Sequence, residues 1–151
     1  EDAYRGQAEY DTIAEVKSLV SIPVVANGDI DSPEKAKAVL ERTGADAVMI
    51  GRGAQGKPWI FREIDYFLKN DAFLPPPDFN EIRQIVHEHL EQHYAFYGEA
   101  AGVRTARKHI GWYAKNLPDG EKLRHAANRS ETCEEQINEV DRFFMTLLQR
   151  S

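Results

Sequence analysis

Two short glycine-bearing loops carry the polar chemistry of the amino-terminal half. Asn27-Gly28-Asp29 follows the apolar run Ile22–Ala26, and Gly51-Arg52-Gly53 follows Ala47–Ile50. Glycine lets a bound group approach main-chain amides closely, and arginine offers a planar fork of donors that matches phosphate. Short continuous apolar runs suit parallel strands covered on both faces. Loops that follow parallel strands emerge together at the carboxyl edge, where β/α barrels and open α/β sheets bind ligands. The second loop also runs into a helical pattern, whose dipole and unpaired amides favour an anion. The pair reads as a phosphate grip of the kind built by the loops after the last two strands of a β/α barrel.

Two other readings of the glycines compete with it. Gly51-Arg52-Gly53-Ala54-Gln55-Gly56 matches the dinucleotide pattern GxGxxG. That fold next needs a second strand and an acidic residue about 20 positions on. Here a helix and then three prolines follow, so the context fails. The plainer alternative is glycines that only make a tight turn.

A second chemistry sits further along. Residues 103–129 hold seven basic side chains (Arg104, Arg107, Lys108, Lys115, Lys122, Arg124 and Arg129) against Asp119 and Glu121, in a chain of formal charge −6. At helical spacing Arg104, Lys108, Gly111 and Lys115 share one face, with Arg107 and Trp112 beside it. Val103, Ala106, Ile110, Ala114 and Leu117 line the opposite face. One-signed charge with an aromatic neighbour suits a phosphate backbone. The competing reading pairs this stripe with the acidic cluster Glu131, Glu134, Glu135, Glu139 and Asp141 inside a bundle.

His87, His89 and His93 share one helical stretch, and His89 and His93 are four apart. The HExxH pattern is absent and no third ligand is evident, so no metal site is assigned. Cys133 falls on an apolar stripe and reads as a small hydrophobe with no paired base.

The elements that position these groups follow from periodicity. Asp11 is a cap candidate for a helix with Ile13, Val16, Leu19 and Val20 on one face. Asp31 or Ser32, Pro33 and Gly44 bound a second helix with Ala36, Val39 and Leu40 buried. Pro58 opens a third, aligning Ile60, Ile64, Phe67 and Leu68. Residues 11–69 thus read α-β-α-β-α, after a polar loop at 1–10. Pro75-Pro76-Pro77 breaks the pattern. Beyond it only helices appear: 79–97, 100–117, a short one to about Arg129 after the turn Pro118-Asp119-Gly120, and a last one. That one opens on the capping box Thr132/Glu135 and carries Cys133, Ile137, Val140, Phe144, Leu147 and Leu148. A single cysteine excludes an internal disulfide framework and fits a reducing, cytoplasmic setting. No signal peptide or membrane-length apolar run is seen. Net acidity excludes whole-surface nucleic-acid binding but not a local basic patch.

The stretches NGDI, GADAVMIGRGAQGKPWIF and ARKHIGWY, in that order, resemble tRNA-dihydrouridine synthases, most like the bacterial B branch of that family. The segment YRGQAEYDTI resembles the lead into the seventh barrel helix. The resemblance implies an α/β fold, the last two β/α units of a TIM barrel over residues 1–74. A Pro-rich linker at 75–78 and an all-α helical tRNA-binding bundle at 79–151 complete it. It implies an FMN enzyme that uses NADPH to reduce uridine in tRNA to 5,6-dihydrouridine. Asn27, Gly28, Asp29, Gly51 and Arg52 would hold the FMN phosphate, and Arg104, Arg107, Lys108 and Trp112 would contact tRNA. The family's catalytic cysteine lies in an earlier barrel loop whose motif Cys133 does not match. No catalytic residue is therefore expected in this chain, which should be a carboxyl-terminal piece, inactive alone and open to self-association through its strand edges. Two alternatives remain: a helical RNA-binding module without a catalytic role, and the end of another FMN barrel oxidoreductase of the dihydroorotate or nitronate type.

Overall fold

The structure, a computed structural model, describes residues 10–150 and divides into two compact units, Glu1–Pro75 and Pro76–Ser151. The loop expected at the start lies, but for Tyr10, outside the described residues. The first unit runs α1 (Tyr10–Leu19), β1 (Val25–Asn27), α2 (Pro33–Thr43), β2 (Ala47–Met49), a 3-10 turn (Arg52–Ala54) and α3 (Ile60–Asn70). β1 and β2 are parallel, with Val25 beside Ala47, Ala26 beside Val48 and Asn27 beside Met49.

Local signals account for most boundaries. Ser32 caps α2 by accepting from the Lys35 amide at 3.2 Å, Pro33 occupies its first turn, and Gly44 closes it at φ 66° with its N–H on the Leu40 carbonyl. Three expectations need correction. Asp11 does not cap α1; the helix already includes Tyr10, and Asp11 lies in its first turn. α3 starts at Ile60 rather than Pro58, after a turn in which the Ile60 amide reaches the Lys57 carbonyl.

The third correction concerns the strands, which are three residues long and are not covered on both faces. Ala26 is buried, whereas Val25 and Met49 are 57% and 53% exposed. Alternate burial along β1 means that helices cover one face only. The core of this unit joins Tyr10, Ala26, Ile30, Ala36, Val39, Ile60 and Ile64. Of the α1 stripe only Ile13 packs on it; Val16, Leu19 and Val20 are exposed, as is Leu68 of α3.

The second unit is α4 (Phe79–Tyr97), α5 (Glu99–Ala114), α6 (Gly120–Arg129) and α7 (Cys133–Arg150). Asp78 caps α4 through the Glu81 amide at 2.8 Å, and Thr132 accepts from the Glu135 amide at 3.1 Å. Val86, Leu90, Val103, Ala106, Ile110, Leu123, Val140 and Phe144 fill the bundle. Gln136 is fully buried among them. Its amide donates to the Val103 carbonyl at 3.2 Å and the Ala127 carbonyl at 3.1 Å, and accepts from the Tyr94 hydroxyl at 2.5 Å. One side chain therefore ties all four helices. No described helix is long and apolar enough to cross a membrane.

Candidate functional site

The two rim loops meet. Because β1 and β2 are parallel and in register to Asn27 and Met49, the chain leaves both strands at the same edge. The Arg52 guanidinium then donates to Asp29 across the gap, Nη2 to Oδ1 at 3.1 Å. Gly28 at φ 140° and Asp29 at φ 28° make the first loop a turn that β-branched residues could not adopt cheaply. Tyr10 fixes it from α1, its hydroxyl donating to the Gly28 carbonyl at 3.0 Å. Burial first, and the Asp29 charge second, push that phenol above its ordinary range. Arg42 of α2 lies over the Tyr10 ring, 5.6 Å from its centre.

The glycines of the second loop differ in what surrounds them. A Cβ on Gly53 would collide with the Ile30 carbonyl oxygen and come to 3.2 Å from Asp31 Cα, so the loops pack backbone to backbone there. A Cβ on Gly51 would meet nothing within 4 Å. The rim is thus closed beneath Gly53 and open above Gly51. Asn27, Asp29, Gly51 and Arg52 are all solvent-exposed. An exposed guanidinium beside a glycine with free space over it is an arrangement a phosphate monoester fits.

In the helical unit Arg104 and Lys108 on α5 and Lys115 just past its end are exposed, opposite the buried Val103, Ala106, Ile110 and Ala114. The Lys108 ammonium sits 5.8 Å from the centre of the Trp112 ring. The acidic cluster does not neutralise this face. Glu139 pairs with Arg142, Asp141 with His87, and Glu135 accepts from the Glu131 amide. Among the described residues no carboxylate pairs with Arg104, Lys108 or Lys115. Arg107 is placed differently from its three companions. It is half-buried, Nη2 donates to the Ser130 carbonyl at 3.1 Å, and its buried Nε has no partner. Arg124 of α6, bidentate on Glu121, lies against Gly111 and so joins the α5 face.

The histidines gain a third member that spacing on one helix could not reveal. His109 of α5 comes to 5.0 Å from His89 and 5.3 Å from His93, ring centre to ring centre. Burial holds His89 and His93 below the ordinary imidazole range and His109 down at about 4. Cys133 stands at the start of α7, its thiol pushed up by burial and by Glu99, which is the opposite of an activated nucleophile.

The dihydrouridine synthase (Dus) family model matches residues 1–149. The chain belongs to that family. It is 54% identical over 143 residues to tRNA-dihydrouridine synthase B of Pseudomonas aeruginosa, covering 95% of this chain and 43% of that protein. It is 56% identical over 146 residues to the protein of that name from Shewanella oneidensis, covering 97% and 45%. The Vibrio cholerae protein of that name is 50% identical over 141 residues, covering 93% and 44%. The chain thus spans less than half the length of these curated relatives.

Within this member of the family, the residue pattern alone did not single out Tyr10, Gly53 as a packing glycine, or Gln136. Only Gly53 carried a signal, its place two residues after a strand. The others act through partners far away in the chain.

Proposed function

We propose that the chain is the carboxyl-terminal part of a tRNA-dihydrouridine synthase that binds FMN phosphate at the strand rim and tRNA on the basic face of α5. The observation that carries the first half is the parallel register that delivers both loops to one edge and brings Arg52 within 3.1 Å of Asp29. Two exposed strand residues, Val25 and Met49, are the kind of surface that neighbouring barrel strands and helices cover. β1 and β2 are accordingly the last two strands of a barrel whose remainder lies in the length this chain does not span.

FMN held there would supply hydride chemistry to the uracil 5,6 double bond, with NADPH as the reductant and a proton donor completing the saturation. The residues of this chain hold and orient. Arg52 donates to the phosphate, Gly51 leaves room for it, and the Gly28–Asp29 turn, buttressed by Tyr10, sets where Arg52 sits. Arg104, Lys108 and Lys115 contact RNA phosphates, and Trp112 offers a ring edge or face beside Lys108. Arg107 supports this surface from within by fixing the Ser130 end of α6. Cys133 takes no part, and the proton donor to the uracil comes from outside this chain, which by itself reduces no uridine.

The test is an amide-resolved NMR titration of the chain with FMN and, separately, riboflavin. FMN will shift the amides of Gly28, Asp29, Gly51 and Arg52, riboflavin will not, and Arg52→Gln will abolish the shifts. Equal responses to both flavins, or none to FMN, would remove the phosphate grip.

A further inference from the structure

His89 and His93 of α4 and His109 of α5 lie outside every role assigned above except neighbourhood to Trp112. One ring nitrogen of each lies within 4.8 Å of one ring nitrogen of the others, and all three side chains are half-buried. Stacked aromatic rings alone would account for the proximity. The hydrogen bonds around the rings point further.

Thr105 fixes one tautomer. Its hydroxyl donates to the Ala101 carbonyl at 2.7 Å, so toward His93 Nε2, also at 2.7 Å, the same oxygen can only accept. His93 therefore carries its proton on Nε2 and keeps the lone pair on Nδ1. His89 Nδ1 lies 3.0 Å from the Tyr113 hydroxyl, a group that can accept that proton and leave Nε2 as the lone-pair nitrogen. Metal-binding histidines characteristically anchor their second nitrogen on a hydroxyl, carbonyl or carboxylate in this way.

We propose that His89, His93 and His109 form a binding site for a zinc-class divalent ion, with one coordination position left to water. Three imidazoles and no carboxylate suit zinc, cobalt or nickel rather than magnesium or calcium. Tetrahedral bonds of 2.0–2.1 Å place ligand nitrogens ~3.3 Å apart, so the rings must close by about 1.5 Å from their widest separation. Side-chain rotation on two adjacent helices supplies that movement. Lys108, next to His109, opposes the ion and limits its affinity. The ion staples α4 to α5.

Cobalt(II) titrated into the tag-free chain tests this. The expected result is the strong visible d–d spectrum of a four-coordinate ion, lost on adding zinc. His109→Gln and His93→Gln will each abolish it, and His87→Gln, outside the cluster, will leave it unchanged. Thr105→Val, which frees the His93 tautomer, will weaken zinc binding by about tenfold. Zinc will also raise the melting temperature of the wild-type chain but not of His109→Gln. A weak six-coordinate spectrum in the wild type, or one that survives in a His109→Gln variant of unchanged helical circular dichroism, would overturn the site.

Discussion

Arg52 and Asp29 are 23 residues apart in sequence and 3.1 Å apart in the fold, each in the loop that leaves a different parallel strand. Asp29 holds the guanidinium in place and at the same time sets a carboxylate where an incoming phosphate must approach. Asp29→Asn keeps an acceptor for Arg52 and removes the charge. At separations near 6 Å in a solvent-exposed site, repulsion of a dianion amounts to about 1 kcal/mol at low salt and roughly half that at physiological salt. The variant is expected to bind inorganic phosphate or FMN several-fold more tightly at low salt, measured by the same NMR titration, with the gain fading at high salt.

The two loop glycines separate folding from binding. Gly53→Ala drives a methyl into the Ile30 carbonyl, so the loops must part, at a cost of about 1–3 kcal/mol. Gly51→Ala meets no neighbour and should melt like the wild type, yet its methyl occupies the space over the rim. Thermal melting will fall for the first and not the second, while FMN shifts will weaken in both.

Asp46 makes the first unit acid-sensitive. It accepts from Lys17 Nζ at 2.7 Å and from the Val24 amide at 2.8 Å, and the Lys17 hydrogen bond above all holds its carboxyl below the ordinary range. A folded pKa below the unfolded value of 3.8 contributes stability that is complete above the unfolded value. That stability is lost as the pH falls through the folded one. Asp46→Asn should therefore lower stability at neutral pH and flatten the decline below about pH 4, read from melting curves at stepped pH.

On α5 the exposed and the half-buried arginine predict different outcomes. Arg104→Glu with Lys108→Glu will lower tRNA affinity and reduce the slope of log affinity against log salt by about one unit per residue. Arg107→Ala removes the donor to Ser130 and should lower the melting temperature of the helical unit with little change in that slope. A reversed pattern would move Arg107 to the RNA surface.

Gln136→Leu tests the buried polar hub. The substitution strands the Tyr94 hydroxyl, which loses its acceptor on α7, and removes the donor shared by Val103 and Ala127. A destabilisation of about 1–3 kcal/mol is expected in denaturant titration of the helical unit. Restoring Tyr94→Phe in the same chain should recover part of it, because both ends of one hydrogen bond are then apolar.

Much of this architecture is written in near-neighbour chemistry. Ser32, Pro33 and Gly44 bound α2, and Asp78 and Thr132 start α4 and α7, because capping joins groups within one helical turn. The order of apolar runs likewise showed two strands leading to two polar loops. Tertiary structure decided everything that depends on how helices and strands are rotated against one another. It buried only one face of β1 and β2, turned Arg107 inward while Arg104 and Lys108 stayed outside, and set Gln136 at the centre of four helices. It also carried His109 to His89 and His93, and Arg52 to Asp29. A helical or strand period states which residues share a face. It does not state what the opposite element presents to that face, and both the phosphate rim and the histidine cluster are built from such meetings.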